Sequence, residues 1–302
     1  MKGENEPKKR NWREYNESLV KRGEMYLTFD FLKTWERDLE KLNQDKLGRR
    51  YEYPWSFIEL LMLIHVIFHL PYRQLEGFLR KLSELIPEIK PTDYTNIWRR
   101  GTKLKLNLPD TISISDEPVV IAVDSTGIKV TNRGEWMREK WKVHRGWIKV
   151  HLAVDVKTKE IVAIEVTDER VSDGSRFNSL IDQAEENLSG RKIEKALGDG
   201  AFDRREIFDH LQQKGVQPVI KTRSNANTKA KGSPPRARAV REMKNLGYLC
   251  WKQKYDYGRR WAAETVFSAV KRISGEHVAA TATENMMQEV ILKFSFYNML
   301  IH

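Results

Sequence analysis

Three apolar segments in succession constrain this chain more than any other feature. Residues 118–129 (PVVIAVDSTGIK) form a β-branched run. Residues 147–155 (WIKVHLAVD) alternate apolar with polar, and residues 159–167 (KEIVAIEVT) alternate again. Alternation with a period of two puts every second side chain on one face, the mark of a strand rather than a helix. Thr158 and Lys159 leave room only for a short turn between the second and third segments, so those two form a hairpin. A basic, tryptophan-rich stretch, 133–147, joins the first to the second. Three consecutive antiparallel strands are therefore expected.

The order continues with a helix over 175–188, a short strand over 195–197, a helix over 204–214 and a strand over 217–222. A strand over 248–252 and a closing helix over 259–273 come last. Three antiparallel strands followed by αβαβ and a closing helix is the order of a ribonuclease-H-like fold, an α/β mixed sheet with flanking helices. Residues 1–110 read differently. Apolar residues at helical spacing over 13–22, 28–46, 54–70, 72–85 and 93–106 predict a helical domain, punctuated by Pro71 and Pro87. The last two of these helices could form a helix-turn-helix, with Thr95, Asn96, Arg99, Arg100 and Lys103 facing DNA. The expected division is 1–110 and 111–302.

Charge narrows the function classes. Lys and Arg number 53 against 42 Asp and Glu, a net of +11, which favours an anionic partner over a small neutral substrate. The excess is concentrated: residues 201–250 hold 11 basic and 4 acidic side chains. Their centre, SNANTKAKGSPPRAR, carries Gly232, Pro234 and Pro235 and is expected to be a flexible basic loop spanning 223–244. Lys221, Arg223, Arg236, Arg238 and Arg241 are its candidate phosphate contacts. A membrane-spanning role is disfavoured, because the most apolar run, 57–70, is too short and carries Glu59, His65 and His69. The charged N-terminus does not resemble a signal peptide. The single Cys250 allows no intrachain disulfide, and it is expected inside the 248–252 strand.

Three acids stand out by context. Asp124 lies within an apolar strand, where a carboxylate is costly unless it is paired or binds a metal. Asp199 ends a strand between Gly198 and Gly200. Glu264 sits on the amphipathic closing helix, RRWAAETVFSAVKR. Carboxylates that converge from such positions can hold divalent ions, which in pairs activate a water or a 3′ hydroxyl at a phosphodiester. On the closing helix, Arg260 precedes Glu264 by four residues and Lys271 follows it by seven, so one face carries an acid between two cations.

At these residues a family resemblance emerges. Tyr257-x2-Arg260-x3-Glu264-x6-Lys271 matches the Y-x2-R-x3-E-x6-K signature of bacterial and archaeal insertion-sequence transposases of the DDE class at all four positions. VIAVDSTGIKV resembles the segment bearing their first Asp, and ALGDGAFDRREIF the segment bearing the second. GWIKVHLAVDVKTKEIVAIEVT is similar to the intervening hairpin of the group named after insertion sequence five. The resemblance implies a DDE catalytic domain over 111–302, behind a DNA-binding helical domain. It implies Asp124, Asp199 and Glu264 as catalytic metal ligands for two Mg²⁺ or Mn²⁺ ions. Tyr257, Arg260 and Lys271 would be ancillary DNA contacts. The implied activity is cut-and-paste transposition by a homo-oligomer on paired terminal inverted repeats, in the cytoplasm beside the nucleoid. A silent DNA-binding remnant would be expected to have lost one of the acids. A ribonuclease-H-like nuclease of other purpose would lack the Tyr–Arg–Lys grip.

Smaller features carry expectations too. His65 and His69 are read as helix residues, not zinc ligands. Trp136, Trp141 and Trp147, interleaved with Arg133, Arg138, Lys140, Lys142 and Arg145, suit a DNA-facing segment. His144 or His151 could assist the metals. Asp203 is read as the cap of the helix that starts at Arg204.

Overall fold

The computed structural model describes residues 11–130 and 147–301. The described residues up to Leu104, together with those from Met299 onward, form one compact unit, and Lys105–Asn298 form another. Of the expected Trp-rich DNA-facing segment at 133–147, all but Trp147 lies outside the described residues, His144 included; Trp147 is described and is 37% exposed.

The first unit is helical: α1 (Trp12–Met25), α2 (Phe31–Asn43), α3 (Trp55–Ile67), α4 (Tyr72–Leu85) and α5 (Tyr94–Gly101). Asn11 caps α1, its side chain accepting the backbone N–H of Arg13 and Glu14. Helix α3 is apolar almost all round and buries Phe57, Ile58, Leu60 to Ile64 and Val66, as a central helix must. It ends before His69, which takes a left-handed backbone (φ 53°) ahead of Pro71. His65 packs against Tyr72 and bonds the Leu70 carbonyl oxygen, a structural role. Helix α5 is only eight residues long and stops well before Leu106. Arg100 is a correction to the expected DNA-facing set. It is 6% exposed, donates to the Tyr53 carbonyl at 2.9 Å and lies over the Trp55 ring, so it braces this unit from within.

The second unit is built on a mixed sheet of β1 (Val119–Val130), β2 (Trp147–Asp155), β3 (Ile161–Asp168), β4 (Ile193–Gly198) and β5 (Gln217–Ile220), in the order β3-β2-β1-β4-β5. The pairs β1–β2 and β2–β3 are antiparallel, whereas β1–β4 and β4–β5 are parallel. Helices α6 (Asp173–Asn187) and α7 (Arg205–Gln213) make the crossovers that parallel pairing requires. A two-residue strand β6 (His277–Val278) pairs in parallel with β1 at its far end, Lys129 and Val130. This is the ribonuclease-H-like arrangement expected from the element order. The core beneath one face is apolar and fully closed, with Phe177 and Phe208 buried among Ile121, Val123, Leu180 and Ile207. Truncating either ring to Ala would cost about 3–5 kcal/mol.

Two expectations in this unit are overturned. Residues 223–244 are not one loop and 248–252 is not a strand: α8 (Pro234–Lys254) occupies most of both, kinked at Gly247, whose φ of 71° suits glycine. Its two prolines do not break the helix, because they sit at its start, where a missing N–H costs nothing. Ala237, Val240 and Met243, three apart, are the buried stripe that holds α8 down. Cys250 accordingly lies exposed on that helix instead of inside a strand. Helix α9 (Trp261–Ser274) closes the sheet, and a further helix that the element order did not predict, α10 (Thr283–Ile301), follows it. The buried Asn298 of α10 accepts the Ile161 N–H and donates to the Ile161 carbonyl, both at 2.8 Å, completing the edge of β3 as a strand neighbour would. Among the described residues, no helix is long and apolar enough to cross a membrane.

Candidate active site

The sheet register brings the first two acids level. Ala122 on β1 pairs with Leu197 on the parallel β4, and Asp124 and Asp199 each lie two residues further on. The third acid comes from α9. Its buried stripe, Ala262, Ala263, Val266, Phe267 and Val270, seats the helix against β1 and β2. That seating presents Glu264 and Lys271, two turns apart, to the middle of β1. The Lys271 ammonium donates to Thr126 Oγ1 at 2.9 Å, two residues from Asp124 on the same face.

Arg260 links the acids. It closes a 3₁₀ turn (Tyr257–Arg260) just ahead of α9, and its guanidinium fork spans two carboxylates. Nη1 donates to Asp124 Oδ2 at 3.1 Å and Nη2 to Glu264 Oε1 at 2.8 Å. Burial pushes the Asp124 carboxyl above the usual aspartate range, and the charges of Asp199 and Glu264 push it the same way. The Ser125 N–H and Arg260 pull against them. Burial disfavours the Arg260 charge, but Asp124, Tyr257 and Glu264 outweigh it and strengthen the guanidinium's hold on its proton.

Two clefts flank this bridge. One, of about 710 Å³, is lined by Asp199, Lys221, Arg223, Tyr248, Lys252 and Arg260. The other, of about 570 Å³, is lined by Asp124, Thr126, Glu264, Phe267 and Lys271. Among the described residues, no three His, Cys, Asp or Glu side chains stand ready as a common metal cage. The donors are nevertheless suited to a hard divalent ion: three carboxylates borne on a strand, a strand end and a seated helix, all supplying oxygen. The charge interactions on Asp124 show that both other acids lie within electrostatic reach of it.

The remaining candidates divide. Lys221, Arg223, Arg238 and Arg241 are exposed. Lys221 lies over the Tyr248 ring, Arg238 reaches Gln212, and Arg241 donates to the Thr228 carbonyl. Arg236 is a correction: Nε and Nη2 grip Asp203 at 2.7 and 2.9 Å, and Asp203 also accepts the Arg223 N–H. Asp203 is thus a buried latch between the Asp199 turn and the basic segment, not a helix cap. Tyr257 is likewise corrected as a DNA contact. It is buried, its hydroxyl donates to the Gly198 carbonyl at 3.1 Å, and its ring packs on Trp251. Burial pushes its hydroxyl up to about 12, so it stays protonated and ties β4 to the turn bearing Arg260.

His151 does not reach the acids. It pairs with Ser125 across β1–β2 and shares that residue's face, opposite to Asp124. It is 1% exposed, meets Thr167 Oγ1 at 2.9 Å, and burial lowers its pKa to about 4. Sequence reasoning missed two residues of the larger cleft, Tyr248 and Lys252, along with Trp261 at its rim, which is 64% exposed. The signal for Trp261 was its place between Arg260 and Glu264 on an otherwise small-residue turn of helix.

A family model described as a transposase DDE domain matches residues 115–299, and a second with the same description matches residues 20–133. Among solved structures, the chain is similar at 10% identity to the piggyBac transposase synaptic complex with hairpin DNA, over 93% of this chain and 74% of that one, with a TM-score of 0.40. It is similar at 9% identity to the Drosophila P element transposase strand transfer complex, over 94% and 71%, with a TM-score of 0.36. At such values these likenesses add no argument to the family match.

Proposed function

The chain belongs to the transposase DDE-domain family, and from that premise we propose that it cuts DNA at the ends of an insertion sequence and joins the freed 3′ hydroxyls to a target. The family works with divalent metal ions. In this chain Asp124, Asp199 and Glu264 would hold them, two Mg²⁺ or Mn²⁺ per site. When bound, they supply Lewis-acid activation of the attacking oxygen and neutralise charge at the leaving oxygen. The observation that carries this reading is the register that sets Asp124 and Asp199 level on neighbouring strands, with Glu264 joined to Asp124 through Arg260.

The chain's own groups do the rest. Lys271, fixed by Thr126 beside the acids, holds a phosphate of the cut strand. Lys221 and Arg223 line the cleft at Asp199 and track the backbone on that side. Arg238 and Arg241, exposed on α8, add sequence-independent affinity. The helical N-terminal region, 1–110, contributes recognition of the terminal inverted repeats through its exposed side chains, Arg99 and Lys103 among them. A homo-oligomer would bring two ends together.

The test is a gel-shift titration paired with Mg²⁺-dependent cleavage of an end-bearing oligonucleotide. Glu264→Gln keeps the shape and removes the charge, so it should abolish cleavage while DNA affinity measured without metal stays intact or rises slightly. Wild-type cleavage by that variant would remove Glu264 from the metal-binding set.

A further inference from the structure

We propose that Arg260 is a resident counter-cation for the acidic site, and that it exchanges its two carboxylates for a DNA phosphate before they can take a divalent ion. Metal uptake is then coupled to arrival of the DNA end. This rests on the reading of Asp124 and Glu264 as metal ligands.

Four observations carry it. The guanidinium does not sit beside the acids; it bridges them, at 3.1 Å to Asp124 and 2.8 Å to Glu264, and so uses the oxygens an ion would need. Arginine is suited to such a bridge because its planar fork offers parallel donors, which a lysine point charge does not. At its Asp124 end the bridge is also shielded, with the Arg260 and Asp124 side chains 17% and 19% exposed against 40% for Glu264, so removing the cation without replacement would leave a poorly solvated Asp124 beside like charges.

The third observation is what anchors the arginine. Its turn is pinned by the Tyr257 hydroxyl on Gly198 and by Trp251 against the Tyr257 ring. The backbone of Arg260 is therefore fixed, and only its long side chain has to move. Fourth, the place for it to go is adjacent. Arg260 also lines the cleft of about 710 Å³ that holds Lys221, Arg223 and Lys252. A phosphate drawn there by three cations presents the same paired-oxygen geometry to the guanidinium as a carboxylate does.

The exchange has a thermodynamic consequence. If a phosphate releases the carboxylates, DNA must raise metal affinity, and the metal must raise DNA affinity by the same factor. A purely structural Arg260–Glu264 pair on the helix would leave any linkage unchanged when Arg260 is replaced.

The experiment is a Mn²⁺ titration of the full chain, followed by electron paramagnetic resonance, with and without a saturating duplex carrying the element's terminal repeat. Wild-type protein should bind Mn²⁺ about tenfold more tightly with the duplex, within the range usual for coupled sites. Arg260→Gln should bind Mn²⁺ about tenfold more tightly than wild type without DNA, and should gain less from the duplex than wild type does. Arg260→Lys should fall between and guards against misfolding of the glutamine variant. Melting supplies a second readout: Mn²⁺ should raise the melting temperature of Arg260→Gln more than that of the wild type, because the ion replaces the missing cation. If Arg260→Gln and Arg260→Lys bind Mn²⁺ no more tightly than wild type while Asp124→Asn abolishes binding, the exchange is wrong and the metal-site reading stands. If Asp124→Asn and Glu264→Gln bind Mn²⁺ like the wild type, the metal-site reading fails and the exchange fails with it.

Discussion

The two faces of β1 carry similar chemistry and put it to different ends. On one face Asp124 meets Arg260, and Thr126 meets Lys271, beside open clefts. On the other, Ser125 donates to Asp173 Oδ1 at 2.6 Å and Lys149 pairs with the same oxygen at 2.7 Å, next to the buried His151. Each face pairs an acid directly with a cation and has a strand hydroxyl close by. They differ in how far the acid is satisfied. Burial raises the Asp173 carboxyl, but the Lys149 and Ser125 hydrogen bonds outweigh it and hold the group below the usual range. Asp124 stays above that range, because burial and two neighbouring acids outweigh its partners. A satisfied carboxylate stabilises a fold, whereas an under-compensated one at a cleft is available for chemistry.

That contrast is breakable by paired substitutions, and the largest expected effect is on cleavage. Asp124→Asn should lower DNA cleavage on the order of a thousandfold or more, as loss of a charge-stabilising group at a reacting centre does. Its thermal stability should stay within about 1 kcal/mol of wild type, because an unfavourable buried charge goes with the lost Arg260 bond. Asp173→Asn should do the reverse, leaving cleavage within a few-fold and costing about 1–3 kcal/mol. Equal losses of cleavage from both would erase the distinction between the faces.

The next effect is a pH dependence on the closed face. His151 has a folded pKa of about 4 against an ordinary 6.5, owing to burial. Between those values the unfolded chain binds a proton that the folded chain refuses. Stability therefore falls as pH drops through that window, by on the order of 3 kcal/mol, and is unaffected by this group above it. Chemical denaturation of His151→Gln across pH 4 to 7 should show a flatter slope than wild type.

The smallest effect concerns the basic segment. Arg238→Ala with Arg241→Ala should reduce the salt dependence of DNA binding by about 0.9 for each phosphate that is no longer neutralised. Arg236→Ala should act through stability instead, by leaving the buried Asp203 carboxylate with the Arg223 N–H but without its counter-charge. A drop in salt slope for Arg236→Ala in a fully folded protein would reverse that assignment.

The legible part of this molecule was its periodic part. The alternation of 147–155 and 159–167 predicted the hairpin, and the carboxylate inside an apolar strand singled out Asp124. The four-residue spacing of Arg260 and Glu264 placed those two together, because on a helix that is a local relation. What the sequence concealed was where long side chains end. The Arg260–Asp124 bond joins residues 136 apart, and nothing local announces it. Arg100, Arg236 and Tyr257 looked like surface groups because of their residue types, yet each is held by a carbonyl or carboxylate from another element. Helix α8 was hidden because prolines at a helix start and prolines in a loop look the same until the apolar stripe behind them is weighed.

The central claim is that Asp124, Asp199 and Glu264 act as one site, and its most direct measurement is Mg²⁺-dependent cleavage of an end-bearing oligonucleotide by Asp124→Asn, Asp199→Asn, Glu264→Gln and the triple variant. Groups that work as a unit are strongly non-additive, so each single variant should lose nearly all activity and the triple should lose no more. Losses that multiply across the three, or a single variant that cleaves at the wild-type rate, would contradict it.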